Sequence, residues 1–248
     1  MSFALFGKLP AKRDFVSRHV PAGFSTIVEP WLHEGIAISR NVMGEAWREA
    51  YLSAPIWRFW LPPGLTGQGM IGALMPSVDG VGRYFPLVIM VAAPAGGGFA
   101  HPSYDPHAAW FDAVEGILLG ALGEDVALNT VLAWMGRVRD PMVADAAHLI
   151  APGDKDRVQA ASPPALGPGL HRLRRAAPAP YTGTAWWTTG GVDYPPIALA
   201  WDAMPETTFF REMLVPPKPE PGAVAAASDN ASAKPPAPAD AATPQPRA

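Results

Sequence analysis

The stretch 87–93 (LVIMVAA) is apolar at every position, and it constrains the fold more than any other part of the chain. A strand with one face in water alternates apolar and polar residues, whereas a strand covered on both faces does not. The run is also far shorter than the ~20 apolar residues that span a bilayer. We therefore predict a strand buried between two layers of helices.

Other patterned segments supply the elements that these layers need. The pattern predicts strands at 3–9, 56–61, 70–75, around 186–188 and at 197–201, and helices at 24–43, 45–52, 106–122, 126–138 and 206–214. The strands come in groups as well as singly, which favours a mixed sheet over a purely parallel one. The predicted fold class is α/β, a three-layer α/β/α sandwich with a mixed central sheet.

The composition changes abruptly after Leu214. Residues 215–248 are mostly Pro and Ala, with no aromatic residue and only two Val as bulky aliphatic side chains. Such a segment buries too little apolar surface to offset the entropy cost of ordering it. We predict one ordered domain, 1–214, followed by a disordered Pro/Ala-rich tail, 215–248.

Charge and cysteine content exclude several classes of function. The formal net charge is −3 and cysteine is absent, so the sequence predicts no nucleic-acid partner, no disulfide and no thiolate chemistry. The closely spaced histidines, His101 and His107, form a poor ligand set, and we expect no metal and no cofactor. The start of the chain lacks the pattern of a signal peptide, which favours a cytoplasmic protein without membrane insertion.

The segment 75–86 (MPSVDGVGRYFP) places Ser77, Asp79 and Arg83 on a glycine-containing loop before the buried strand. An arginine flanked by glycine and by large aromatic residues is either bridged to a carboxylate, Asp79 or Asp14, or presented to a partner. The bridge is the favoured interpretation, since a partly buried arginine needs a fixed carboxylate.

Catalytic motifs in this region are incomplete. The letters GxGxxG at 67–72 continue into a predicted strand where a dinucleotide site needs a helix. No GxSxG elbow surrounds Ser77. Asp112 and Glu115 are expected on the solvated face of their helix. One alternative stays open: a small-molecule-binding or hydrolytic α/β domain that uses the glycine-rich 64–79 region with Ser77 and Asp79.

Three ordered motifs resemble the TagF family of type VI secretion-associated proteins. They are 7–16 (GKLPAKRDFV), 51–59 (YLSAPIWRF) and 75–87 (MPSVDGVGRYFPL), and the later 185–188 (AWWT) and 204–214 are similar to the family's C-terminal signature. In one departure, Arg13 stands where the family has the glycine of GDFV. If that glycine serves a positive-φ turn, Arg13 carries a conformational cost or the loop differs.

The resemblance implies regulation without catalysis on a three-layer α/β sandwich. TagF proteins act in the cytoplasm as post-translational repressors of type VI secretion by binding the forkhead-associated scaffold protein Fha. Some relatives are fused to a PppA-type phosphatase, which makes such a phosphatase, with other components of the secretion apparatus, a further candidate partner. The candidate partner-binding residues in this chain are Asp14, Asp79, Arg83, Tyr84 and Trp187.

Overall fold

The computed structural model of the protein describes residues 2–95, 97–102, 107–123, 125–144, 158–159 and 182–216. The chain divides into two compact units, Met1–Pro216 and Pro217–Ala248, and all described residues lie in the first. The tail beyond Pro216 lies outside the described residues, so its disorder stays a prediction.

The six predicted strands are present, and the described part of the chain adds four strands of two or three residues that the pattern did not predict. The strands are β1 Phe3–Gly7, β2 Val16–Arg18, β3 Trp57–Leu61, β4 Met70–Met75, β5 Leu87–Ala92, β6 Gly98–Phe99, β7 Val143–Ala144, β8 Val158–Gln159, β9 Thr184–Thr188 and β10 Ile197–Trp201. Turns or prolines end these strands, as Pro62 does after β3.

The helices also follow the apolar periodicity. They are α1 Glu29–Met43, α2 Trp47–Ser53, α3 Pro63–Thr66, α4 Ala108–Gly120, α5 Leu128–Met135 and α6 Phe209–Leu214, with a π-helical turn at Phe24–Val28 and a 3-10 turn at Gly44–Ala46. Pro30 lies in the first turn of α1, directly after the π-helical turn Phe24–Val28, so the chain is already helical on the N-terminal side of this proline. The start that the sequence predicts at Pro106 lies outside the described residues. None of the helices in the described part is long and apolar enough to cross a membrane.

Eight strands form one sheet, in the order β2-β1-β5-β4-β3-β9-β10-β8. Every pairing among these strands is antiparallel, so the predicted mixed sheet is wrong. The reason lies in the connections. Strands β3, β4 and β5 follow one another through short loops, as do β9 and β10, and short connections join antiparallel neighbours.

Helices cover the sheet on both faces, and the α/β class is confirmed. On one face, side chains such as Trp60, Ile89 and Trp187 pack with α4 and α5. On the other, side chains such as Phe59, Val88 and Trp186 pack with α1, α2 and α6. The first five residues of β5 are buried, which explains its lack of alternation.

A buried arginine ties α4 to the centre of the sheet. Arg58 of β3 donates from Nε to Glu115 Oε1 at 2.5 Å and from Nη2 to Asp112 Oδ1 at 2.9 Å, and its guanidinium lies over the ring of Phe111. The expected solvated position is confirmed for Asp112, whose side chain is 70% exposed, and is wrong for Glu115, whose side chain is 16% exposed. The buried guanidinium needs the two acidic side chains as its counter-charges.

Candidate functional site

Asp79 is the centre of a charged cluster at the end of the sheet. Its side chain is fully buried, and Oδ2 accepts from Lys8 Nζ at 2.8 Å and from Arg83 Nε at 2.7 Å. Its other oxygen, Oδ1, accepts from the backbone N–H of Arg83 at 2.9 Å and from that of Val81 at 3.1 Å. One carboxylate thus closes the 79–83 loop and joins it to the segment after β1.

The cluster controls the ionisation of Asp79. Burial by itself raises the pKa of this carboxyl, but the hydrogen bonds from Lys8, from the backbone and side chain of Arg83 and from the Val81 N–H outweigh burial. The pKa of Asp79 is held well below its ordinary value, because every one of these donors favours the charged form. The carboxylate stays ionised at any pH near neutrality.

The loop that carries Asp79 is anchored at both ends. Ser77 is buried, and its hydroxyl donates to the backbone oxygen of Lys8 at 2.8 Å. The Tyr51 hydroxyl donates to the Ser77 carbonyl and accepts from the Ser77 N–H, each at 3.1 Å. Burial raises the pKa of Tyr51, so this hydroxyl keeps its proton.

Gly7 lets the loop approach β1. Its φ is +120°, and a Cβ at this position would lie 1.9 Å from the carbonyl oxygen of Pro86. Only glycine combines this backbone conformation with so close a contact. The 7–10 and 75–86 motifs are therefore two halves of one structural unit.

An exposed surface lies above this buried framework. Arg83 is 57% exposed at its side chain, and its Nη2 donates to the backbone oxygen of Arg13. The Gly80 N–H donates to the Lys12 carbonyl at 2.8 Å, which fixes the 11–15 segment against the loop. Two apolar side chains, Phe15 and Val81, are 45% and 55% exposed beside these cations. We call Lys12, Arg13, Phe15, Val81 and Arg83 the Arg83 surface.

The predicted partner-binding residues lie in different environments, from the exposed surface to the core. The ion pair of Arg83 with Asp79 is confirmed, whereas Asp14 lies exposed in the neighbouring segment. Tyr84 is half-buried and makes edge contacts with Trp47 and Tyr51.

Trp187, one of the candidate partner-binding residues, does not lie at the surface. It is 2% exposed and packs edge-on against Phe111 at 5.0 Å between ring centroids. Its neighbour Trp186 is buried on the opposite face against Phe59 and Trp31. Because helices cover both faces of β9, both tryptophans belong to the core.

Sequence reasoning missed Lys8 as a partner of Asp79. A lysine that follows a strand is normally exposed, so the residue type at position 8 did not indicate that this side chain is buried. The Gly7-Lys8-Leu9-Pro10 motif was the available clue. Arg13 has no positive φ, so it takes the place of the family's glycine without that strain.

The geometry does not favour the catalytic alternative. The Ser77 hydroxyl is buried and engaged with Lys8, so no substrate can reach it without rearrangement. Of the GxGxxG glycines, Gly67 ends α3 and Gly72 lies within β4, where a Cβ would lie 2.3 Å from the Phe59 ring. No group of three His, Asp or Glu side chains within the described ranges could hold a metal ion.

Comparison with known proteins agrees with the motifs. The crystal structure of PA0076 from Pseudomonas aeruginosa PAO1 is similar to this chain, with a TM-score of 0.66 and 26% identity over 88% of this chain and 99% of that chain. No curated protein matches. The TagF N-terminal domain family, described as type VI secretion system-associated, matches residues 4–137, more than half of the chain. The chain therefore belongs to the TagF family and is a type VI secretion-associated protein.

Proposed function

We propose that this protein is a cytoplasmic, post-translational negative regulator of type VI secretion that acts by binding the forkhead-associated scaffold protein Fha. It works by occupying its partner and carries no catalysis of its own. Membership of the TagF family supports the link to type VI secretion. A PppA-type phosphatase and other components of the apparatus are further candidate partners.

The observation that carries the proposal is the Arg83 surface. Its three cationic and two apolar side chains are exposed, with Asp14 exposed between Arg13 and Phe15 in the chain, and the buried Lys8–Asp79 pair holds the loop in place. A surface that is already ordered loses little conformational entropy on binding. Arginines beside exposed apolar side chains suit an acidic protein face with an apolar centre.

Co-purification and titration with purified Fha test the proposal directly. We expect wild-type protein to bind Fha, and the double variant Arg13→Ala/Arg83→Ala to bind at least about tenfold more weakly, since it loses two charged contacts. Arg48→Ala on α2 is the matched control, because Arg48 is an exposed arginine on a different element. Circular dichroism confirms that each variant is folded.

The possible results separate the surface from the partner. Failure of the wild type to bind Fha would refute the proposed partner, and the same titration with a PppA-type phosphatase then tests the next candidate. Equal binding by wild type and the double variant would remove the Arg83 surface from the interface. A protein ending at Leu214 shows in parallel whether the Pro/Ala-rich tail contributes to affinity.

A further inference from the structure

A groove of about 730 Å³ lies between α4 and the segment that ends α5. Its walls are the apolar side chains of Trp110, Ile117, Trp134 and Val138. Small residues of α4 line the rest of it, namely Ala109, Ala113, Gly116 and Gly120. The groove is separate from the Arg83 surface, since no residue belongs to both.

The small residues make room along one side of α4. Their spacing along the helix places them on a single exposed stripe about three turns long, since a helix has 3.6 residues per turn. A Cβ added at Gly116 would meet no atom within 4 Å, so the stripe is open at its middle. Helices pack at the short end of the 8–10 Å range of interaxial distances where their contact residues are small.

The polar groups of the groove are mainly donors and cations. Arg137 and Arg139 lie at one end, and neither forms an ion pair with another residue in the described part of the chain. Trp110 is 5% exposed, and its indole N–H has no hydrogen-bond acceptor there. Among the described residues that line the groove, Asp140 is the single acidic one. An occupant that complements the two arginines must bring carboxylates.

The remaining segments of this chain do not have that chemistry. Residues 145–181 contain five Lys and Arg against three Asp, so they carry the same sign of charge as the two arginines. Residues 217–248 contain no aromatic residue and one Val as a bulky aliphatic side chain, which leaves little to fill an apolar groove. The charge complementarity favours another protein over either segment.

We infer that the groove between α4 and residues 134–141 is a docking site for an amphipathic helix of a partner protein, with acidic residues at the end that meets Arg137 and Arg139. The apolar stripe of that helix lies along the small residues of α4, in the manner of helix-in-groove recognition. Met142, the residue after Pro141, is 80% exposed. This site is a second interaction surface and does not depend on the proposed contact with Fha.

Two synthetic peptides of about 18 residues, or five helical turns, test the inference with the full-length protein. The acidic peptide has Leu at helical spacing and Glu near one end, and its twin has Lys in place of Glu. We expect saturable binding of the acidic peptide by fluorescence anisotropy and at least about tenfold weaker binding of the twin. The affinity for the acidic peptide falls with added salt.

Two variants locate the binding in the groove. Gly116→Leu fills the open stripe and favours the helix, since Leu is a better helix former than Gly, and we expect affinity to fall at least about tenfold. Ala133→Leu adds the same side chain on α5 outside the groove and leaves affinity unchanged. Arg137→Glu/Arg139→Glu weakens the acidic peptide and strengthens its twin. If Gly116→Leu fails to fold, this reversal of peptide preference still shows whether the peptide binds in the groove.

Three results would overturn the inference. The first is no binding of the acidic peptide, and the second is equal binding of both peptides. The third is an unchanged affinity for the acidic peptide both in folded Gly116→Leu and in Arg137→Glu/Arg139→Glu. The remaining candidate occupant is a second copy of this chain, and analytical sedimentation of the protein alone tests for it. A concentration-dependent dimer that Gly116→Leu dissociates would assign the groove to a second copy of this chain and refute a heterologous helix.

Discussion

Replacing Asp79 with Ala tests how much the buried Lys8–Asp79 pair contributes to stability, as distinct from the exposed Arg83 of the same cluster. The change leaves Lys8, which is 5% exposed, without its counter-charge in the protein interior. Breaking a buried pair by removing one partner costs about 3–5 kcal/mol. A domain of ordinary stability has about 5–15 kcal/mol in total, so the loss is a large fraction of it.

The exposed half of the same cluster supplies the comparison. Arg83→Ala removes an ion pair whose arginine is 57% exposed, and such pairs contribute about 1 kcal/mol or less. Asp79→Ala is therefore expected to cost several times more than Arg83→Ala. In urea, with a slope of about 2–3 kcal/mol per molar, the Asp79→Ala midpoint falls by roughly 1–2 M.

A double-mutant cycle with Lys8→Met tests the cause. Met fills a similar volume without a charge, so Asp79→Ala should cost much less in the Lys8→Met background than in the wild type. Equal costs in the two backgrounds, or an Asp79→Ala midpoint as high as that of Arg83→Ala, would show that the Lys8–Asp79 pair does not stabilise this end of the sheet.

Three further changes probe other parts of the fold. Gly7→Ala is expected to cost more than 4 kcal/mol or to prevent folding, because its Cβ overlaps a carbonyl oxygen. Gly67→Ala, in the left-handed region with no atom within 4 Å, is expected to cost about 1–2 kcal/mol for its backbone conformation alone. Arg58→Ala leaves the carboxylate of Glu115 beside the sheet without its counter-charge. We therefore expect the free energy of unfolding, measured in urea titrations, to fall by about 3–5 kcal/mol. Burial lowers the pKa of His101 from 6.5 to about 3, so stability should fall as pH drops through that interval, by up to about 1.4 kcal/mol per pH unit, and His101→Asn should flatten this slope in thermal melts.

Matched controls accompany the last two changes. Asp112 is 70% exposed at its side chain, so Asp112→Asn should cost about 1 kcal/mol or less, and a cost equal to that of Arg58→Ala would contradict the buried-charge argument. His19 is exposed and has a positive φ, which Asn tolerates. His19→Asn is the matched exchange for His101→Asn, made at an exposed histidine. An unchanged slope in His101→Asn would mean that other groups set the acid sensitivity.

Local pattern was sufficient for the longer strands and helices and for the pairing of Asp79 with Arg83, but not for the short strands β2, β6, β7 and β8 or for α3. Elements followed from apolar periodicity and proline positions, and the ion pair joins residues four apart in one loop. Contacts between distant segments could not be read in this way. Lys8 reaches Asp79 from after β1, and Arg58 reaches the helix α4, so in each case the partner is known only once the strands are in order.

Two errors have the same physical origin. Strand direction depends on how each connection returns the chain to the sheet, and apolar content alone does not encode it. The burial of Trp187 depends on α4 and α5 covering that face of β9, whereas the alternation along a strand shows only that Trp186 and Trp187 point to opposite faces. Both features belong to the tertiary arrangement.

The position of β3 has a consequence for biosynthesis. This strand ends up inside the sheet, yet one of its two neighbours, β9, leaves the ribosome long after it, whereas β4 follows at once. A nascent chain that has reached only the end of the 4–137 segment therefore carries the aromatic edge WRFWL unpaired. Such an edge is a template for aggregation, so premature termination before β9 should yield insoluble product, and chaperone capture of β3 becomes a requirement of synthesis at high concentration.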